Sequence, residues 1–546
     1  MNLINEPWLP VRKRDGGREW VDPSQLARPD IVAFDADRAD FNGALAQFVI
    51  GLLQTTTPVE RHSGWRKLFD EPPNRDTLAQ WFAPVAGAFK FDGEGARFMQ
   101  DFTLTAEDGT ACDIAALLIE APGDNTLKDN KDLFVKRGLV GPLCPACAAT
   151  ALFTLQLNAP SGGAGHRTGL RGGGPLTTLL LASEGSSLWH HLWLNVVEQA
   201  GFFDGDCSEW RAPHLTFPWL APMSAIQKNG GETAPVQVHP AHVFWAMPRR
   251  IRLNLDQPRK GECGVCSRTS DALVTGYHTH THGFNYKGAW NHPLSPYYDK
   301  DGSRLPVHPQ PGGLGHRHWL AWVMGQGSER KKQHRARVVE HFLTHRQRVA
   351  PGALRLWALG YDLDNMKARC WYESALPFYG LGDCDVDAQR KVEGEVARWL
   401  DATEQAAFML RGAVKHAWFN DAPSADAEFY GAIDSAFWGA TEAAFYEQLH
   451  KVIEGAASDA AFDAITVNTR WQSALEHHAI RLFDKQFVGT GPVAQQQPRR
   501  IAEAYQRLAA GLKGPKLREA LGLPVDPAKA AARKTASATK PKARKS

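Results

Sequence analysis

The chain of 546 residues carries 62 basic and 59 acidic residues, a formal net charge of +3, with 43% hydrophobic and 22% charged positions. These are the proportions of an ordinary soluble globular protein of about two to four domains. Eight cysteines are too sparse for a disulfide scaffold, and no run of about 18 apolar residues could span a bilayer. The opening MNLINEPWLPVRKRDGG, broken by Pro7 and Pro10, lacks the apolar centre of a signal peptide, so a cytoplasmic protein without membrane contact is expected.

Charge is unevenly spread. The stretch 527–546 holds seven basic residues and no acidic one, and without it 55 basic face 59 acidic residues. The body is therefore not globally basic, and any nucleic-acid contact must come from local patches. The tail, rich in Ala, Lys, Ser and Pro, reads as a disordered basic extension over 516–546.

In chain order, the first chemical signal is Cys144-Pro-Ala-Cys147, answered by Cys263-Gly-Val-Cys266 after 115 intervening residues. A two-residue gap lets one tight turn present two sulfurs to one ion, and two such turns complete the tetrahedral thiolate shell of a structural Zn2+. A closed four-sulfur shell leaves no position for a catalytic water. The apolar helical run 148–158 leads into 161-SGGAGHRTGLRGGG-174, which packs seven glycines into 14 residues. Such a segment lets a backbone approach a ligand closely and offers N–H groups to it, with His166, Arg167 and Arg171 adding positive charge. It matches neither a P-loop nor a dinucleotide fingerprint.

A strand is expected over 248–255. Beyond Cys266, His278, His280 and His282 alternate in GYHTHTHGFNYKGAWNHPLSP, so on a strand they share one face, able to meet phosphate or a second metal. The segment 329–348 carries Arg330, Lys331, Lys332, Arg335, Arg337, Arg346 and Arg348 around an amphipathic helix at 338–349, a basic face for water or nucleic acid. Near 376–387 a Gly/Pro/Asp-rich joint is followed by helical stripes. Val392, Val396, Trp399, Leu400, Ala407, Leu410 and Val414 form the first; Trp471, Leu475, Ala479, Leu482 and Phe483 the second; Ile501, Tyr505, Leu508 and Leu512 the third. Two shorter helices are expected at 426–438 and 440–453. The fold class is thus α+β: a mixed N-terminal domain over 1–376 with a zinc clip, then a four-helix-type bundle over 385–515. HExxH, GxSxG and Walker A signatures are absent, which favours a non-catalytic protein. A zinc-clipped nuclease or nucleotide-modifying hydrolase using the histidine segment, and a scaffold without DNA contact, are the alternatives.

NLINEPWLPV, LCPAC followed by NAPSGGAGHRTGLRGG, CGVC, WNHPLSP and GYDLDNMKARCWYE stand in the order found in the CasA family. The chain resembles this family, the large subunits of type I-E CRISPR Cascade surveillance complexes, through about residue 515. The resemblance implies a DNA reader without catalysis. Such a subunit recognises the protospacer-adjacent motif in double-stranded target DNA from the minor groove, helps open the duplex and recruits the CRISPR helicase–nuclease. The other Cascade subunits and the crRNA are the implied partners, with base pairing reading the remaining sequence. Carried over by position, the minor-groove loop falls on Ser161, Gly162, Gly163, Ala164 and Gly165. The crRNA-facing loop falls on Phe134, Val135 and Lys136. The strand-separating wedge falls on Asp364 and Asn365, where a relative has glutamine. The family's lysine finger aligns with Thr281, so His280, His282 or Lys287 would replace it in part. A zinc site would then anchor the bases of the loops that meet DNA.

Overall fold

The computed structural model describes residues 1–130, 138–163, 165–203, 212–223, 231–325, 333–346, 354–379, 386–419, 427–457, 463–489 and 497–525. Phe134, Val135, Lys136, Ala164, Arg330, Lys331, Lys332, Arg348 and the tail from 526 lie outside them. The chain divides into two compact units, Met1–Gln310 with Gly325–Phe378, and Pro311–Met324 with Tyr379–Ser546.

The first unit is mixed. Its N-terminal sheet runs Arg18–Val21, Leu9–Lys13, Ile31–Phe34, all antiparallel, with Leu9 opposite Val21 and Val11 opposite Phe34. The helix that follows, Ala39–Thr56, is buried on nearly every side, the pattern of a helix inside a core rather than on its surface. Phe48, at its centre, meets the rings of Trp8, Phe89, Phe98, Phe153 and Trp245 edge-on at 5.2–5.8 Å. Each such pair contributes ~0.5–1.5 kcal/mol beyond its burial. Phe153 arrives on a second buried helix, Pro145–Asn158, which starts with Pro at a position where no N–H is needed.

Two further sheets frame the site. Gly276–His280 is the central strand between Thr110–Asp113 and Arg250–Leu253, both antiparallel to it. The long hairpin Leu354–Asp364/Lys367–Phe378 is extended by Thr177–Leu181. Its tip is a two-residue turn with Asn365 at φ 45° and Met366 at φ 63°. Positive φ at both central residues is the turn whose twist matches a hairpin.

The second unit is helical: Val386–Trp418, Ala427–Ala457, Ala464–Leu482, Pro498–Leu512 and Pro515–Ala520. Trp399, Phe445 and Trp471 pack as one aromatic centre, and Trp399 Nε1 donates to Asn468 Oδ1 at 2.6 Å. Three expectations are corrected. The two helices expected at 426–438 and 440–453 are one continuous helix, Ala427–Ala457, because a single glycine inside the run costs only ~1 kcal/mol relative to alanine and does not break it. The third stripe is rotated: Ala504, Leu508 and Leu512 face the core, while Tyr505 is 37% exposed. The expected start of a disordered tail at 516 falls inside a helix, with Leu517, Leu521 and Leu523 buried. Pro311–Met324 also belongs to this unit, held by His316 against Trp438 and Phe445.

Candidate nucleic-acid interface and metal centre

The cysteine pairs meet. Cys144 sits immediately before the helix Pro145–Asn158, and Cys147 lies in its first turn. Cys263 and Cys266 lie at the tip of a hairpin formed by Arg259–Glu262 and Thr269–Leu273. A backbone bridge between Leu143 and Val274 aligns the two knuckles, and Gly264 N–H donates to Pro142 O at 2.8 Å. A Cβ on Gly264 would stand 2.4 Å from the Gly141 nitrogen, so only glycine allows this approach.

All four sulfurs lie within 4.8 Å of one another, and Cys144 Sγ is 3.7 Å from Cys266 Sγ. Zinc–sulfur bonds of about 2.3 Å in a tetrahedron place sulfurs ~3.8 Å apart, so the donor set and its spacing fit a zinc-like ion. Three of the cysteines are buried and Cys266 half-buried. Hydrogen bonding to Cys144 pushes the Cys147 thiol up, while hydrogen bonding with Cys144 brings Cys266 down to about 7. A divalent cation would displace these shared protons. Among the described residues no other group of three or more His, Cys, Asp or Glu side chains could hold a metal. In particular His278 hydrogen-bonds Asn254, at 2.9 Å, and His280 the Thr281 carbonyl, at 2.9 Å.

The helix Pro145–Asn158 carries the chain away from the cysteines, ~20 Å at ~1.5 Å per residue. The glycine segment begins at its far end. Gln156, two residues from that end, clasps the backbone of Arg249: its Oε1 accepts from Arg249 N and its Nε2 donates to Arg249 O, both at 3.0 Å. Helix and strands are thereby tied together at the loop end as the cysteines tie them at the other. The cysteine centre therefore does not itself stand beside the loop; it fixes the opposite end of the same helix.

At the loop, Ser161, Gly162 and Gly163 are exposed. His166 N–H closes a turn to Gly163 O at 3.3 Å, and His282 N–H donates to Gly165 O at 2.8 Å. Gly165 adopts φ 86°, and a Cβ there would lie 2.7 Å from Thr281 Cβ and 3.1 Å from the His282 ring. The structure thus brings the glycine loop together with Thr281 and His282. The strand itself stops at His280, and His282, at φ 64°, lies past its end, so the expected three-histidine face contains only His278 and His280.

The hairpin tip converges on the same region. A Cβ on Gly173 would be 3.0 Å from both Pro160 Cα and Leu363 Cδ1, the residues just before the loop and just before Asp364. Tyr361 is fixed by its hydroxyl donating to Asp40 at 2.6 Å, and Arg369 pairs with Asp362 at 2.7 Å. The tip also exposes Met366, at 46%, which the sequence reading missed; its signal was an apolar residue directly after Asp-Asn in a hairpin turn. Lys287 directly follows Asn285–Tyr286, which pairs in parallel with Glu232–Thr233, and its Nζ is 4.0 Å from Glu232.

Two basic expectations are corrected. Arg171 is 3% exposed and hydrogen-bonds Thr177, Ser295 and Gln47, so it adds no surface charge to the glycine segment. The helix near 338–349 spans only Arg337–His345. Arg335 pairs with Glu340, Arg337 donates to Phe202 O at 3.1 Å, and Arg346 is 1% exposed over Trp65 and paired with Glu198. Among the described residues these arginines make no basic face.

No helix is long and apolar enough to cross a membrane, among the described residues. The solved Cse1 of Thermobifida fusca superposes with a TM-score of 0.67 at 18% identity, over 96% of this chain and 99% of that one. Cse1 of Acidimicrobium ferrooxidans gives 0.65 at 19% identity, over 95% and 98%. A chain from a structure described as a CRISPR RNA-guided surveillance complex gives 0.62 at 16%, over 94% and 99%. At these identities the likeness establishes the fold. The family model for CRISPR-associated protein Cse1 matches residues 2–482, nearly nine-tenths of the way along the chain. With the two cysteine knuckles and the glycine loop in place on this fold, the chain belongs to the CRISPR-associated protein Cse1 family.

Proposed function

We propose that this chain is the large, non-catalytic subunit of a crRNA-guided Cascade complex in the cytoplasm. It reads a short flanking motif in double-stranded DNA with the glycine loop, helps open the duplex with the hairpin tip, and recruits the helicase–nuclease. The observation that carries the reading is the convergence of three elements. The exposed backbone of Ser161–Gly163 is slim enough for a minor groove, Thr281 and His282 buttress it, and the Asp364–Asn365–Met366 tip lies beyond the adjoining Leu363. A minor groove about 6 Å wide admits backbone more readily than bulky side chains, and its degenerate pattern suits a permissive motif. An apolar tip can partly unstack a base step. Thr281 stands where the family's lysine finger aligns, so motif preference differs from that of a lysine-bearing relative, with His280, His282 or Lys287 replacing the finger in part. The four cysteines would hold zinc as a staple for the helix beneath the loop.

The test is binding of target duplexes with randomised flanking motifs by the complex with and without this protein. Motif-dependent binding that needs the chain supports the reading; motif preference that survives without it rejects it. A metal-dependent cut by the chain alone, lost in His280→Ala/His282→Ala, would support the hydrolase reading instead.

A further inference from the structure

Four arginines are buried among the described residues: Arg97, Arg171, Arg249 and Arg346. Arg97 pairs with Asp256 and Arg346 with Glu198. Arg171 and Arg249 have no carboxylate partner, and both stand against the glycine segment.

Arg249 lies beneath its start. Its Nη2 donates to the Pro160 carbonyl, and its Nη1 is 2.8 Å from where a Gly162 Cβ would be. Its Nε is buried without a hydrogen-bond partner, in a side chain of a residue only 9% exposed. Arg171 lies within the second half of the segment, its guanidinium spread over three neutral oxygens of Thr177, Ser295 and Gln47 at 2.7–3.0 Å. Those oxygens have other partners: Thr177 Oγ1 donates to Gln47 at 3.3 Å and Ser295 Oγ to Leu176 O at 2.7 Å. Arg171 helps satisfy three buried oxygens and Arg249 one carbonyl, but among the described residues no carboxylate neutralises either charge. Burying a cation without a counter-charge is costly. Burial lowers both guanidiniums to about 10, still charged at neutral pH.

We infer that Arg171 and Arg249 form a buried, uncompensated positive platform behind the glycine segment that draws a nucleic-acid phosphate backbone onto its exposed face. The backbone N–H groups and the slim glycines make the contact; the two guanidiniums act through the loop as positioning residues. Charges behind a low-dielectric wall are screened less than surface charges. This inference rests on the DNA-reading function proposed above and supplies the electrostatic source that the near-neutral body otherwise lacks.

The experiment titrates the assembled complex with a guide-matched duplex carrying the motif that the wild type selects, across a salt series. Arg171→Met, Arg249→Met, Arg249→Lys and Gly163→Asp are compared, with a thermal melt of each full-length variant. Each methionine variant is expected to bind roughly tenfold more weakly at low salt, the effect of one charge about 10 Å away at an effective dielectric near 20. The dependence of log K on log salt should fall in slope by about one. Arg171→Met leaves three buried oxygens without their donor and should melt lower, so its binding is compared where it remains folded. The role of charge is read from the salt slope and from Arg249→Lys, which should keep most of the affinity and slope. Unchanged affinity and slope in folded methionine variants, with Gly163→Asp still defective, would overturn the platform and leave the loop reading standing. Loss of binding in Arg249→Lys equal to that in Arg249→Met would also overturn it, since charge would then not be the cause. If Gly163→Asp binds normally as well, the loop reading itself fails.

Discussion

The backbone amide of His282 donates to the carbonyl of Gly165 at 2.8 Å, joining two segments separated by 116 intervening residues into one edge. Because Gly165 is left-handed and sits against Thr281, this joint depends on the absence of a side chain. Gly165→Ala combines backbone strain with overpacking and should cost about 2–4 kcal/mol. Gly163→Ala, at φ 86° with open space around its Cβ position, should cost only about 1 kcal/mol. Thermal or denaturant unfolding of both variants checks the contrast.

Cysteine substitution tests the staple. An ion present at a hundred times its dissociation constant adds about 2.7 kcal/mol to the folded state. Cys263→Ser should lose bound metal, measured by elemental analysis, and that stabilisation with it. With the cysteines at the other end of a 14-residue helix from the loop, motif preference should persist wherever the variant remains folded.

Acid stability follows from Glu198. Burial opposes its ionisation, but the hydrogen bond from His341 and the charge of Arg346 outweigh it and hold the pKa near 2, below the ordinary 4.5. A depressed carboxylate contributes stability above its unfolded pKa and loses it as pH falls through the folded one. About 3 kcal/mol should therefore disappear between pH 4.5 and 2. Glu198→Gln should be less stable than wild type at pH 7 and converge with it near pH 2, as followed by denaturant unfolding.

At the hairpin tip, Met366 holds an exposed apolar side chain at φ 63°. Met366→Gly relieves the backbone and should raise stability by about 0.5–1 kcal/mol. The same change should slow duplex opening, read by a fluorescent base analogue beside the flanking motif. Asn365→Gly, which keeps the methionine but removes the other wedge side chain, should slow opening less than Met366→Gly does.

The parts of this molecule that were readable beforehand are those where chemistry depends on residue type and short spacing. Two CxxC turns announce a four-sulfur centre at any separation, because each turn needs only its own two sulfurs. Seven glycines in 14 residues announce a special backbone without stating its neighbours. What could not be read was partnership at long range. Nothing local marks Arg346 as buried against Glu198, 147 residues away in the intervening chain, or Arg171 as sealed beneath Gln47. Pattern alone also sees arginine as surface, since a long charged side chain is usually solvated. The third helical stripe was misphased because Tyr505 looks apolar by type, yet Ala504 fills the narrow core position.

The central claim is that the Ser161–Gly165 edge reads the flanking motif. Its most direct measurement is motif selection from a randomised duplex pool by complexes carrying wild-type chain or Gly163→Asp, with the guide-matched sequence held constant. Gly163→Asp should flatten the motif preference and weaken binding, through bulk and negative charge at the groove, while pairing to an already opened strand is unaffected. An unchanged motif preference in a folded, assembled Gly163→Asp complex would contradict it.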